Sequence, residues 1–404
     1  MKNKKKKKWT KKRHRFIRNF LEIILGPYIR KKYSVDIIPF EGADKRPYLV
    51  LYNHQTAFDQ FFVGLCVKGP IYYVASEDLF SMGFTSKVIK YLVEPIPIKK
   101  QSTDVRAVLN CMKVAKEGGT IAIAPEGNRT YSGRTGYMNP AIGQLAKKLG
   151  LPIALLRIEG GYGIHPRWAD EVRGGRMKAY VSEVIEPEVI AEMSADELYD
   201  AICKGLYVDE AVADAEFSAK NGAEYLERVI YVCPKCGLSR FESKGDILRC
   251  TRCNLSARYL PTKEFQWTDG EEGFRFVAEW YDYQCQYVNS LDLNSLTDNP
   301  IYIDDVSFSE VILYKKKKLL EKDAKVTLYG DRIEITSQKL SITVPFGAAS
   351  VFAVLGKNKL NVYIKDTVYQ LKGDSRFNAL KFVNLFYRYK NLESGSSEST
   401  FLGI

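Results

Sequence analysis

The segment Asn53-His54-Gln-Thr-Ala-Phe-Asp59 sets an imidazole and a carboxylate five positions apart. On one continuous helix, residues i and i+5 point about 140° away from each other. The pair meets only if His54 lies in a turn before a helix and Asp59 lies one turn inside it. Asp59 then holds one ring nitrogen, fixes the tautomer and stabilises the charged ring. The other nitrogen is left to take a proton from an attacking hydroxyl. A second block, Pro125-Glu126-Gly127-Asn128-Arg129-Thr130, places a carboxylate and a guanidinium in a glycine-containing turn. Arg129 can grip a phosphate through two parallel hydrogen bonds. Glu126 can accept a hydroxyl of an acceptor or anchor Arg129. Taken alone, each block also fits a plain structural pair. A third set, Cys233-x-x-Cys236 and Cys250-x-x-Cys253, has the spacing of four thiolates around a structural zinc ion.

The elements around these residues follow from hydrophobic patterning. Tyr48 to Tyr52, Ile71 to Ala75, Ile121 to Ala124 and Ile153 to Ile158 are short apolar runs, as buried strands require. Asp104 to Glu117 reads as a helix stopped by Gly118-Gly119. Ala195 to Ala219 also reads as helical. Strands and helices alternate from 46 to 190, which predicts an α/β domain with a mixed, central sheet flanked by helices. His54 and Glu126 each follow a strand, where open α/β sheets place their sites.

Together these blocks resemble the glycerophospholipid acyltransferase superfamily, of which lysophosphatidic acid acyltransferase is the familiar member. Its N-H-x-x-x-x-D and P-E-G-T-R blocks stand here as Asn53-His54 to Asp59 and Pro125 to Arg129, about 70 residues apart. Glu94-Pro-Ile-Pro-Ile-Lys99-Lys100 lies where the family has a basic phosphate-contacting residue, and Leu151-Pro152-Ile153 where it has a proline-containing strand. The resemblance covers roughly residues 35–210. It implies His54 and Asp59 as catalytic residues, and Lys99, Lys100, Glu126, Gly127 and Arg129 as substrate-binding ones. The implied reaction moves an acyl chain from acyl-CoA or acyl carrier protein to the hydroxyl of a lysophospholipid such as 1-acyl-glycerol 3-phosphate. Asn128 replaces the family's Thr. Lysine at 99 and 100 replaces the common Arg, so the acceptor need not be lysophosphatidate.

The rest of the 404 residues extends beyond that domain. Lys and Arg total 60 against 48 acidic residues, a net charge of +12, which implies an anionic partner. The apolar fraction of 46% supports large cores. Residues 1–34 read as a basic arm and amphipathic helix, with Phe16, Phe20, Leu21, Ile23, Ile24 and Leu25 among Lys and Arg, suited to an anionic membrane surface. No apolar run reaches the length of a spanning helix. No signal peptide is visible, so Cys66, Cys111, Cys203 and Cys285 are expected to be reduced and mostly buried, and the cytoplasmic face of a membrane is the expected location. The acyltransferase domain is expected over 35–220, a zinc ribbon over 229–262, and a connecting helix within 265–298. A β-rich module over 300–391 with a final helix resembles pleckstrin-homology-like or GRAM-like domains, with a lysine run at 315–318. A mobile tail is expected over 392–404. Two other readings remain in view: a catalytically inactive membrane-tethered scaffold, and a nucleic-acid-associated protein. Glu242 and Asp246 interrupt the basic charge of the ribbon and argue against the latter.

Overall fold

The computed structural model describes residues 8–42, 46–98, 104–268, 270, 273–312, 317–395 and 399–403. Lys99, Lys100, Lys315 and Lys316 lie outside them. The chain divides into two compact units. The first comprises Met1–Thr130, Arg134–Ile164 and Gly174–Glu210; the second comprises Tyr131–Gly133, His165–Arg173 and Ala211–Ile404.

The first unit begins with α1 (Lys12–Tyr33) and β1 (Val35–Ile37). It continues through β2 (Leu49–Tyr52), α2 (Asp59–Cys66), β3 (Ile71–Ser76), α3 (Phe84–Val93), β4 (Ile96–Ile98), α4 (Val105–Lys116) and β5 (Thr120–Ile123). Then come α5 (Ala141–Leu149), β6 (Ile153–Glu159), α6 (Gly161–Ile164), β7 (Met177–Ile185), α7 (Pro187–Glu192) and α8 (Ala195–Leu206). The strands form one seven-stranded sheet in the order β1-β7-β6-β2-β5-β3-β4. Strands β6, β2, β5, β3 and β4 run parallel; β7 is antiparallel to β6 and carries β1 parallel to itself. The central strand β2 shows why its sequence is a run and not an alternation. Leu49, Val50 and Leu51 are all fully buried because helices cover both faces.

Helix α4 starts on Asp104, whose side chain accepts from the N–H groups of Arg106 and Ala107. Helix α8 ends at Leu206, not at Ala219 as its sequence suggests. The Thr135 hydroxyl accepts from the Val208 N–H, Val208 O accepts from the Thr135 N–H, and Arg134 bridges to Asp209. These tertiary bonds pull the chain out of helical geometry. The N-terminal arm is also anchored: Trp9 is in the core, and Glu117 Oε2 accepts from the N–H groups of Trp9 and Thr10, each at 2.9 Å. Among the described residues, no helix is long and apolar enough to cross a membrane.

The second unit opens with the hairpin β8 (Val232–Cys233) and β9 (Gly237–Leu238). A four-stranded antiparallel sheet follows: β10 (Phe241–Lys244), β11 (Ile247–Cys250), β12 (Ser256–Tyr259) and β13 (Phe265–Trp267). Helix α9 (Val277–Ser290) leads to β14 (Tyr302–Val311), β15 (Lys318–Leu328), β16 (Arg332–Thr336), β17 (Ser341–Pro345), β18 (Val351–Leu355), β19 (Lys359–Ile364) and β20 (Thr367–Gly373). Helix α10 (Leu380–Glu393) closes the unit. These strands form an antiparallel sheet in the order β17-β16-β15-β14-β20-β19-β18. Strand β14 pairs on one side with β15 and on the other with β20, and its register with β15 shifts at Val306/Phe308 and Phe308/Ser309. Such irregularities strengthen the twist and curl the sheet. Phe386 of α10 stacks on Phe352 of β18 at 4.3 Å between ring centroids. The cysteine-bearing segment builds no core of its own: Phe241, Leu248, Tyr259 and Phe265 share one continuous core with Trp280, Val326 and Phe386. The tail differs from expectation: residues 399–403 pack on α10, with Leu402 only 3% exposed.

Candidate active site

Strands β2 and β5 are parallel neighbours in a register that pairs Leu49 with Ile121 and Leu51 with Ile123. That register is an offset of 72 residues, and it persists beyond the strands. His54 N–H donates to Glu126 Oε1 at 2.7 Å, again 72 residues away. Both blocks therefore leave the sheet at its carboxyl end and meet at the same level, as parallel strands allow. Thr130 N–H donates to His54 O at 3.0 Å. The second block is thus a backbone mould for the histidine.

His54 Nδ1 lies 2.7 Å from Asp59 Oδ2. The His54 side chain is 23% exposed and that of Asp59 is fully buried. With the proton on Nδ1 shared with the carboxylate, Nε2 carries a lone pair and can act as a base. Asp59 was expected one turn inside a helix; it opens α2 as its first residue. The loop folds back over it. Asp59 accepts from Gln55 N–H at 2.7 Å, from Thr56 N–H at 2.9 Å and from the Thr56 hydroxyl at 2.7 Å. These bonds hold the buried charge and fix the carboxylate plane. They also engage the N–H groups that precede α2. The Phe58 N–H is taken by the Thr56 hydroxyl.

Two further residues position this turn. The Asn53 side chain pairs with the backbone of Ile158: Nδ2 donates to the carbonyl at 2.8 Å, and Oδ1 accepts the N–H at 2.7 Å. It extends the β2–β6 ladder by one rung through a side chain. Gln55 Oε1 accepts from Tyr162 N–H at 2.7 Å. The backbone must come close here, and Gly161 permits it: a Cβ at that position would lie 2.8 Å from the Gln55 Cβ. Sequence reading did not assign Gln55 or Thr56. The available signal was Thr56 three residues before Asp59, the spacing of a side chain closing on a nearby carboxylate.

Glu126 uses its second oxygen as well: Oε2 accepts from Gly136 N–H at 2.6 Å. Both carboxylate oxygens therefore face backbone N–H groups. Removal from water pushes its carboxyl up to about 8, against the lowering effect of the Gly136 and His54 N–H groups. Gly127 has φ of +65° and its N–H returns to Ala124 O at 3.0 Å, a turn that favours glycine. Arg129 sits in the same turn, partly buried.

Residues 30–159 match the family model described as Acyltransferase, so the chain carries an acyltransferase-family domain. Over 170 residues it is 22% identical to the chloroplastic 1-acyl-sn-glycerol-3-phosphate acyltransferase BAT2 of Brassica napus. That match takes in 41% of this chain and 48% of the Brassica protein, so the chain spans about half the length of this curated relative. The crystal structure of the 1-acyl-sn-glycerophosphate (LPA) acyltransferase PlsC from Thermotoga maritima aligns at 21% identity with a TM-score of 0.41. The alignment covers 48% of this chain and 78% of that one.

In the second unit, Cys233, Cys236, Cys250 and Cys253 converge, with all four Sγ atoms within 4.8 Å of one another. The Sγ–Sγ separations are 3.6 Å for Cys233–Cys253, 3.7 Å for Cys233–Cys236 and 3.9 Å for Cys236–Cys250. Four sulfurs about 2.3 Å from a tetrahedral Zn²⁺ stand roughly 3.8 Å apart. The donor set fits such an ion.

Proposed function

We propose that this chain is an O-acyltransferase that works at a membrane surface and moves an acyl chain onto the hydroxyl of a glycerophospholipid-type acceptor. One observation carries the reading: His54 is braced through Nδ1 by a buried, fully bonded Asp59 while its ring remains partly exposed. His54 Nε2 takes the acceptor's hydroxyl proton as the oxygen attacks the thioester carbonyl of acyl-CoA or acyl carrier protein. The new C–O bond forms, the C–S bond breaks, and the imidazolium returns the proton to the leaving thiolate. Arg129, with Lys99 or Lys100, holds the acceptor's phosphate. The Cys233/Cys236/Cys250/Cys253 cluster holds a structural zinc. The curled β-sheet with its closing helix serves as a pleckstrin-homology-like module; the strand order supports this, because the first strand sits centrally between two meanders.

Membrane association rests on α1. Its inward face is His14, Gly26, Ile29 and Tyr33, while Phe16, Phe20, Ile23, Ile24 and Tyr28 point outward; Phe16 is 74% and Ile23 75% exposed. Arg13 lies over Tyr91 of the neighbouring α3, which adds exposed Phe84. An apolar row among Lys and Arg suits the headgroup region of an anionic leaflet, and the expected location is the cytoplasmic face, peripherally bound. An inactive scaffold would have no need of so complete a bonding shell around Asp59.

The test is acyl-CoA-dependent acylation of a lysophospholipid panel on vesicles, wild type beside His54→Ala, with acyl carrier protein donors as the second arm. His54→Ala should retain its circular dichroism and lose more than 99% of turnover. Activity near wild type in that variant would falsify the assignment.

A further inference from the structure

The groove between α9 and α10 holds the backbone of residues 399–402 in a way unlike ordinary tail packing. Asn391 Nδ2 donates to Ser399 O at 3.2 Å and to Phe401 O at 2.9 Å. Asn289 Nδ2 donates to Thr400 O at 3.3 Å, and Asn384 Nδ2 to Leu402 O at 2.8 Å. Four consecutive carbonyls are therefore read by three asparagine amides from two helices. The Asn384 amide is oriented by the Tyr231 hydroxyl, which donates to its Oδ1 at 2.7 Å and leaves the NH₂ facing the segment. Asn384 is itself fully buried.

The spacing is that of a site built for an extended peptide. Asn384 and Asn391 are seven residues apart, two helical turns, on one face of α10 and about 10 Å apart along its axis. Three residues of extended chain, from Ser399 to Leu402, span about the same length. The segment runs antiparallel to the helix, and its side chains find sockets. Leu402 enters the core, and Phe401 meets the Tyr387 ring edge-on at 5.4 Å. Gly403 lies so near Tyr387 that a Cβ would come within 2.2 Å of the ring.

We propose that this groove is a peptide-docking site that recognises main-chain carbonyls and one apolar side chain, with residues 399–403 as its ligand in cis. Amides that bind carbonyls do not discriminate among side chains, so the Leu402 socket and the glycine after it supply the selectivity. The same segment supplied in trans, as a peptide or from a second copy of the chain, then competes for the groove. This inference is independent of the acyl-transfer reading.

The experiment uses the full chain and a fluorescent, C-terminally amidated peptide of residues 399–404. In the Leu402→Asp chain the cis segment should leave the groove, and the labelled peptide should bind it at least tenfold tighter than wild type, by fluorescence anisotropy. Adding Asn384→Ala and Asn391→Ala to the Leu402→Asp chain should weaken peptide binding at least tenfold, with melting temperatures confirming folded protein. A scrambled peptide of the same composition is the control. Equal binding to wild type and Leu402→Asp, equal binding of the scrambled peptide, or no binding to either chain would overturn the proposal.

Discussion

His54 is held at both backbone polar groups and at one ring nitrogen. Glu126 accepts its N–H, Thr130 donates to its carbonyl, and Asp59 takes Nδ1. The sequence offers this glutamate as a contact for the acceptor's hydroxyl or as an anchor for Arg129; in the fold both its oxygens accept backbone N–H groups, and we propose that it positions His54. Glu126→Gln presents an amide N–H₂ to one of the two backbone donors. A buried donor left unpaired costs about 1–3 kcal/mol, so kcat should fall roughly tenfold or more while the KM for acceptor changes little. A large rise in KM with kcat unchanged would return Glu126 to substrate binding. The same residue sets a stability trend. Its folded-state carboxyl titrates near 8, above the ordinary 4.5. Between those values the folded protein holds a proton that the unfolded chain has released, so Glu126's contribution is complete below about pH 4.5 and is lost as pH rises through about 8. Urea midpoints should show this decline in wild type and a flatter profile in Glu126→Gln.

Helix α1 inverts the usual arrangement of a surface helix. It packs through one narrow face: Tyr33 meets Phe58 and Phe62, a Cβ at Gly26 would lie 3.2 Å from Leu65, and Arg18 donates to Gly64 O at 3.0 Å. The large side chains Phe16, Phe20, Ile23 and Ile24 face away from the fold. Burying a Phe or Ile is worth about 1.5–3 kcal/mol, so Phe20→Asp with Ile23→Asp should weaken binding to anionic vesicles at least tenfold in a sedimentation assay. Melting temperature should be unchanged, since neither side chain contributes to the core. Unchanged vesicle binding would remove α1 from the membrane contact.

At the scale of the molecule, the two units have separate cores. The cysteine-bearing sheet does not stand alone, because its apolar face joins the core of the C-terminal module. Loss of metal should therefore loosen the turns that carry the cysteines without unfolding the unit. We expect one zinc per chain by atomic emission, and for Cys250→Ser a loss of that zinc with a drop of several degrees in melting temperature. Amide exchange should accelerate at 232–238 and 250–254. Metal-free native protein would refute the zinc assignment.

The sequence by itself marked the candidate residues and most of the elements that carry them. Buried strands announce themselves as apolar runs, and β2, β3, β5 and β6 fall within a residue or two of those runs. Asp104 and Gly118 mark the ends of α4 because caps are local in sequence. The His54–Asp59 partnership and the cysteine quartet were legible because each is a short spacing whose side chains meet across a single turn or hairpin. Only the tertiary structure decided the rest. The strand register puts Glu126 under the His54 amide, and no local pattern encodes a register between segments 72 residues apart. Helix α8 stops at Leu206 because Thr135 captures the chain beyond it. Residues 399–403 dock because Asn289, Asn384 and Asn391 converge from two helices, and that convergence exists only once α9 and α10 are packed side by side.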